Sequence, residues 1–220
     1  MACAISHLRF GLDIMSELRV VDESKYVLGL CYPDSRHITR IDRGITHSDK
    51  YINFEFYSGD DFKKGIAAHV IYDIVHNKTM DEVLDYLFDY KMFSRFFVDY
   101  NRGNIRMAVK VIQNILDSKV CDYRKYINNL AYYEFTPNNE DIGLLNEYND
   151  ILKKAFLEFD ELNKDSYKEV LKLLGVGSFK RNKVLAIVDK FWNDDKIIKD
   201  IKALYNESVE LYYFKYKLKI

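Results

Sequence analysis

The sequence predicts an all-α fold, a multi-helix bundle formed by residues 1–220 as a single domain. Only two prolines, Pro33 and Pro137, occur in the 220 residues, and proline is the residue that most strongly breaks a helix. Apolar residues recur every three or four positions along most of the chain, which is the spacing of an amphipathic helix. Hydrophobic residues make up 48% of the chain, so a substantial core is expected and a disordered chain is excluded.

The first 90 residues are expected to combine helices with a long irregular segment. A helix is predicted over 4–18, whereas Gly, Pro, Ser and Asp interrupt the apolar pattern over 27–56. An irregular segment of that length in a compact domain usually has a function. The helical pattern resumes over 60–77, and Thr79 is expected to cap a separate helix that runs to Tyr90.

The rest of the chain, residues 81–220, is predicted to add further helices to this first part. They span residues 94–117, 122–133 and 142–162, and a last helix runs from residue 180 toward the carboxyl terminus. The sequence Gly-Val-Gly-Ser before the last helix breaks the pattern but lacks the Gly-Lys-Ser/Thr of a phosphate-binding loop.

The charge balance and the cysteines exclude several classes of protein. The 33 basic residues nearly cancel the 34 acidic ones, so no general attraction to nucleic acid or to an anionic membrane is expected. Cys3, Cys31 and Cys121 are odd in number, widely separated and without a Cys-x-x-Cys spacing, so neither a disulfide framework nor a thiolate zinc site is indicated. The chain has no signal-peptide pattern and no long apolar run, so neither secretion nor a transmembrane segment is expected. We therefore expect a cytoplasmic protein.

The histidines and one of the predicted helices point to a metal site. All five histidines lie at positions 7, 37, 47, 69 and 76, within the first third of the chain. His69, Asp73 and His76 are spaced four and three residues apart, which puts them on one helical face within roughly 60° of one another. Imidazole and carboxylate ligands suit zinc, with manganese or iron as alternatives, and a metal with an open position activates water. The pattern is typical of a metal-assisted hydrolase.

Four short segments within residues 5–80 occur in an order that resembles the order of motifs in a known family. They are ISHLRFGLDIMSEL, LGLCYPDSRH, THSDKY and GIAAHVIYDIVH. Together they resemble the zinc-dependent phospholipase C and S1/P1 nuclease superfamily, in a compact bacterial or phage-type form. The resemblance implies a helical fold, one or two zinc ions, and a phosphate ester as substrate, either a phospholipid or a small molecule.

The resemblance also implies roles for individual residues. His47, His69 and Asp73 would bind one metal ion, and Asp73 would bridge to a second ion that His7 also binds. Asp34, which follows Pro33 in a Pro-Asp turn, corresponds to the candidate general base or to an additional ligand. These residues make metal-dependent hydrolysis of a phosphate ester the leading hypothesis.

His76 resembles a histidine that serves a third metal ion in some members of the superfamily. Those members take further ligands from a later His-x-x-x-Glu pair, but no histidine follows His76 in this chain. One or two metal ions are therefore expected rather than three. His37 has no counterpart in the family pattern, and we expect it in a solvent-exposed loop.

Two other interpretations stay open. His69 and Asp73 could form a buried hydrogen-bonded pair within a non-catalytic helical interaction module, in which a metal, if bound, only holds residues 7–76 together. Closed four-ligand coordination would favour this module. An HD-type phosphohydrolase would also be helical and rich in His and Asp, but the chain contains no His-Asp dipeptide.

Overall fold

The computed structural model describes residues 4–52, 59–89 and 101–216, and within these ranges the chain forms helices and no strands. The all-α prediction is confirmed. The helices are α1 (Ala4–Ile14), α2 (Glu23–Cys31), α3 (Arg36–Thr39), α4 (Arg43–Thr46), α5 (Asp61–Asp89), α6 (Arg102–Asp117), α7 (Tyr123–Asn128), α8 (Ile142–Leu157), α9 (Ser166–Leu173), α10 (Ser178–Trp192) and α11 (Asp195–Tyr216). A 3₁₀ turn, Tyr32–Ser35, connects α2 to α3. Within the same ranges, no helix has the length and apolar character needed to cross a membrane.

Helix α5 is the centre of the bundle. Helices α1, α2, α6 and α11 pack against it, so apolar side chains on several sides of α5 are buried. The crossing with α2 is especially close, because each helix has a glycine at the contact. A Cβ atom on Gly29 would lie 2.0 Å from the Phe62 carbonyl oxygen, and one on Gly65 would lie 2.1 Å from that of Tyr26. Only glycine therefore allows the two backbones to touch here.

Helix α5 does not end where the sequence predicts. We expected Thr79 to cap a new helix, but α5 continues through it without a break to Asp89. The Thr79 hydroxyl contacts the Val75 and His76 carbonyl oxygens at 3.2 and 3.1 Å, and it lies 2.9 Å from Ser208 Oγ on α11. The prediction was wrong because these contacts inside the bundle satisfy the hydroxyl without a helix terminus.

The segment expected to be irregular, 27–56, is partly helical. Asp22 caps α2 by accepting a hydrogen bond from the Lys25 amide at 3.0 Å, and the side chains of Tyr26 and Leu30 are buried. The glycine and polar residues that interrupt the apolar pattern belong to the close crossing with α5 and to the short turns that follow α2. Residues 53–56 lie outside the described residues.

Four later helices differ from the sequence prediction at their ends, and the one expected over 122–133 stops at Asn128. The helix expected over 142–162 stops at Leu157, where Arg124 donates hydrogen bonds to the carbonyls of Leu157 and Phe159. The last helix is two helices, since Asp194 accepts hydrogen bonds from two amides at the start of α11. Helix α6 begins at Arg102, and residues 94–100 of its predicted span lie outside the described residues.

Candidate metal centre

The structure brings five of the predicted site residues together from four separate elements. His7 lies on α1, Asp34 in the 3₁₀ turn, His47 at the end of α4, and His69 and Asp73 one turn apart on α5. His7, Asp34 and His69 form one group with ligand atoms within 4.8 Å of one another, and His47, His69 and Asp73 form a second. The two groups share His69, so the centre can hold one ion or two adjacent ions.

His69 has the hydrogen-bonding pattern of a metal ligand. Its Nδ1 atom lies 2.7 Å from the Leu30 carbonyl oxygen on α2, and a carbonyl can only accept, so Nδ1 carries the proton. The lone pair is therefore on Nε2, which is buried and has no hydrogen-bond partner among the described residues. Burial, and then the nearby His7, holds the pKa of His69 well below its usual value, so the ring is neutral at pH 7. A neutral imidazole oriented by a backbone carbonyl is the form that binds metal.

His47 is held in a similar way. Its Nδ1 atom lies 2.8 Å from the hydroxyl oxygen of the preceding residue, Thr46. Its buried Nε2 lies 3.4 Å from Asp73 Oδ2 without the geometry of a hydrogen bond. The ring nitrogen and the carboxylate oxygen are therefore neighbours that a shared ion could bridge.

Asp73 joins the histidines to a cation that the sequence analysis did not identify. His7 Nε2 lies 3.2 Å from Asp73 Oδ1, and Arg43 Nη2 donates to Asp73 Oδ2 at 2.9 Å. Burial opposes ionisation of Asp73, but the adjacent His47 and His7 hold its pKa well below the usual value. Asp73 is thus an anionic carboxylate at pH 7. Arg43 lies four residues before His47, so a helical prediction for this segment would have placed the two on one face.

The position of His7 depends on α6. The Asn114 side-chain oxygen accepts hydrogen bonds from the Ile5 and Ser6 amides at 3.0 and 3.1 Å. Asp117 accepts a bond from the Ser6 hydroxyl at 2.6 Å and one from Arg9 at 2.7 Å. These bonds satisfy free amides in the first turn of α1 and fix the helix that carries His7.

Asp34 is buried beside the histidines, in the 3₁₀ turn Tyr32–Ser35. A small void of about 10 Å³ lies between Asp34, His7 and His69, which is the scale of a single water molecule or ion. His37 is exposed as expected, but it lies on α3 and not in a loop, with Nε2 3.7 Å from Asp34 Oδ1. The position of Asp34 fits either a ligand or a base beside the histidines.

His76 is separate from both groups. Its ring stacks on Tyr72, and Nδ1 lies 3.4 Å from the Tyr72 hydroxyl and 3.5 Å from Ser208 Oγ. Burial, and then the charge of Lys110, lowers the pKa of His76 to about 3. The structure therefore places His76 in the contact between α5 and α11, and in the part of the chain that it describes His76 belongs to no group of three metal-competent residues.

A cleft of about 440 Å³ opens beside the centre, and its walls are rich in cations. His7, Asp34 and Asp73 contribute to its lining. The basic side chains on its walls are Arg36, Arg43, Arg106, Lys110 and Lys180. The sequence analysis did not identify this basic cleft, because its residues are spread over positions 36–180 and the whole chain is nearly neutral. The one available signal was the four-residue spacing of Arg106 and Lys110 within a predicted helix.

Comparisons of the chain with protein-family models, with curated proteins and with solved structures find no match.

Proposed function

We propose that this protein is a metal-dependent phosphoric ester hydrolase that uses metal-activated water. The observation that carries the proposal is the buried, unpartnered Nε2 of His69, whose ring the Leu30 carbonyl fixes in the metal-binding tautomer. The ligands would be His7, His47, His69 and Asp73, which lie close enough to surround one or two ions. The resemblance of residues 5–80 to the zinc-dependent phospholipase C and S1/P1 nuclease superfamily supports the same function.

The donor set favours zinc. Three imidazoles with one or two carboxylates are ligands that zinc accepts readily, and manganese or iron would also be accepted. A bound ion would lower the pKa of a coordinated water toward about 7 and would polarise a phosphoryl oxygen.

The protein's own side chains would complete the catalytic arrangement. Asp34 is a buried carboxylate beside the candidate ligands, so it can accept the proton of the attacking water. Arg36 and Arg43 line the adjacent cleft, where their guanidinium groups can bind phosphate oxygens. The hydrogen bond from Arg43 Nη2 to Asp73 Oδ2, 2.9 Å long, keeps this guanidinium beside the candidate ligands.

The substrate would be a phosphate ester, because the cleft is cationic although the chain is not. Phospholipids and small molecules both contain the phosphate ester. The metal-activated water would attack the phosphate ester itself, so the chemistry at this centre would not distinguish a phospholipid from a small molecule.

The direct test is elemental analysis of protein purified without a histidine tag or chelator, followed by a screen of phosphate esters. We expect one or two zinc, manganese or iron atoms per chain, with hydrolysis of at least one ester. Asp73→Asn should remove both metal and activity, whereas Asp85→Asn, an exposed carboxylate on the same helix, should change neither.

A second interpretation has one observation in its favour. Arg43 already neutralises Asp73, so the cluster could be a structural network in a non-catalytic interaction module. Protein that contains no metal after zinc, manganese or iron has been added back would refute the hydrolase and favour this module.

A further inference from the structure

We infer that the substrate carries a second phosphate group, apart from the one that reacts, and that the cationic wall of the cleft binds it. This inference rests on the proposed function, because it assumes that the first phosphate lies at the metal centre. It narrows the substrate from any phosphate ester to small molecules with two separated phosphates.

The charges in the cleft do not balance. Its lining contains five arginine and lysine side chains but only two carboxylates, Asp34 and Asp73. Both carboxylates belong to the candidate metal centre, where bound ions would neutralise them further. The whole chain has a net charge of −1, so the excess of positive charge is a local property of this cleft.

The cations fall into two sets according to the elements that carry them. Arg36 and Arg43 come from the same short segment as Asp34 and His47, beside the metal centre. Arg106, Lys110 and Lys180 come from α6 and α10, which carry none of the candidate ligands. A phosphate at the metal centre would use the first set and leave the second without an anionic substrate group.

Protein carboxylates do not neutralise all of these cations. Arg106 pairs with Asp81 and contacts Asn77 at 3.3 Å. Lys180 is exposed and forms no ion pair with any residue that the structure describes. The Arg36 Nε atom is buried and likewise has no hydrogen-bond partner in the described ranges. Arg36 belongs to the first set, so its Nε can bind the phosphate at the metal centre. Lys180 belongs to the second set, so it is available to the other phosphate.

The size and the other walls of the cleft indicate a small molecule. A volume of about 440 Å³ is in the range of pockets that enclose metabolite-sized ligands. Met107, Leu174 and Val176 add apolar surface to the lining, which suits the carbon skeleton between two phosphates. A long nucleic acid would instead need a basic surface that continues beyond the cleft.

The test compares two probes that share a skeleton, fructose 1,6-bisphosphate and fructose 6-phosphate, by calorimetry on the protein as purified. We expect about tenfold tighter binding of the bisphosphate, since a second charge-assisted contact adds an increment of this size. The preference should shrink at high ionic strength. The Lys110→Gln/Lys180→Gln variant should lose most of it, and Lys183→Gln, on α10 but outside the cleft lining, should keep it.

Equal binding of the two probes would overturn the inference, as would a preference that survives in the Lys110→Gln/Lys180→Gln variant. Tighter binding of a single-stranded DNA oligonucleotide than of the bisphosphate would also overturn it, in favour of a nucleic acid substrate. Failure of the proposed function would give a different result from failure of this inference: no ester would be hydrolysed, but the bisphosphate would still bind more tightly. That result would support the anion site and refute the hydrolase proposal.

Discussion

Replacing Gly65 by alanine should damage the candidate metal centre, because Gly65 lies one helical turn before His69 on the side of α5 that packs against α2. The new Cβ atom would lie 2.1 Å from the Tyr26 carbonyl oxygen and 2.8 Å from the Leu30 amide nitrogen. Ordinary contact needs about 3.4 Å, so α2 and α5 would have to separate by roughly 1 Å. The Leu30 carbonyl, now 2.7 Å from His69 Nδ1, would then lie beyond hydrogen-bonding distance.

The expected cost of Gly65→Ala combines two effects. Overpacking costs about 1–3 kcal/mol, and loss of the buried Leu30–His69 hydrogen bond costs about 1–3 kcal/mol more. The better helix propensity of alanine returns about 0.5–1 kcal/mol. At the middle of these ranges the net loss is about 3 kcal/mol, which lowers the melting temperature by about 6–12 °C. The metal content should also fall, because His69 loses its orientation.

The assay is thermal unfolding together with metal analysis of the same preparation. Gly177→Ala is the matched control, because its φ of −56° suits alanine and a Cβ there would meet nothing within 4 Å. A Gly65→Ala protein with the melting temperature and metal content of the wild type would refute the argument that the backbones must touch for His69 to be held.

Three further predictions concern the centre itself. Asp34→Asn should reduce turnover much more than metal content, measured by ester hydrolysis and elemental analysis, and a fully active variant would end its role as base. Chelation should lower the melting temperature, since an ion at 1,000 times its Kd stabilises the folded state by about 4 kcal/mol, and an unchanged value would exclude a tightly bound ion. His76 has a folded-state pKa of about 3, so below pH 6.5 the unfolded chain binds a proton that the folded chain does not. Stability should therefore fall by about 2 kcal/mol between pH 7 and pH 5 because of this residue, and urea unfolding of His76→Phe should show that much less pH dependence.

The sequence was sufficient to predict the helical class, because the apolar periodicity of α1, α6 and α8 reflects burial against their neighbours. Local signals were less reliable where a contact from a distant helix decided the outcome. Thr79 has the sequence of a cap, yet its hydroxyl is satisfied inside α5 and against Ser208, which is 129 residues away. Periodicity carries no information about such partners.

The candidate site could also be predicted only in part, because some of its contacts join residues that are far apart in the sequence. The spacing of His69 and Asp73 on one helix face was visible in the sequence, and the structure places His7, His47 and Asp34 beside them. The spacing also put His76 on that face, but the Tyr72 ring and α11 enclose it elsewhere. Arg43 and Asp73 are 30 residues apart, and no local sequence pattern predicts that they are in contact.

The bonds that hold α1 have a consequence for the order in which the centre forms during synthesis. The candidate ligands all lie within the first 73 residues, but Ile5 is bonded to Asn114, 109 positions later. A nascent chain that ends within α5 therefore contains every ligand and lacks the helix that fixes His7. Tight metal uptake should follow the emergence of α6 from the ribosome, so the amino-terminal fragment would depend on its later neighbour to become a binding site.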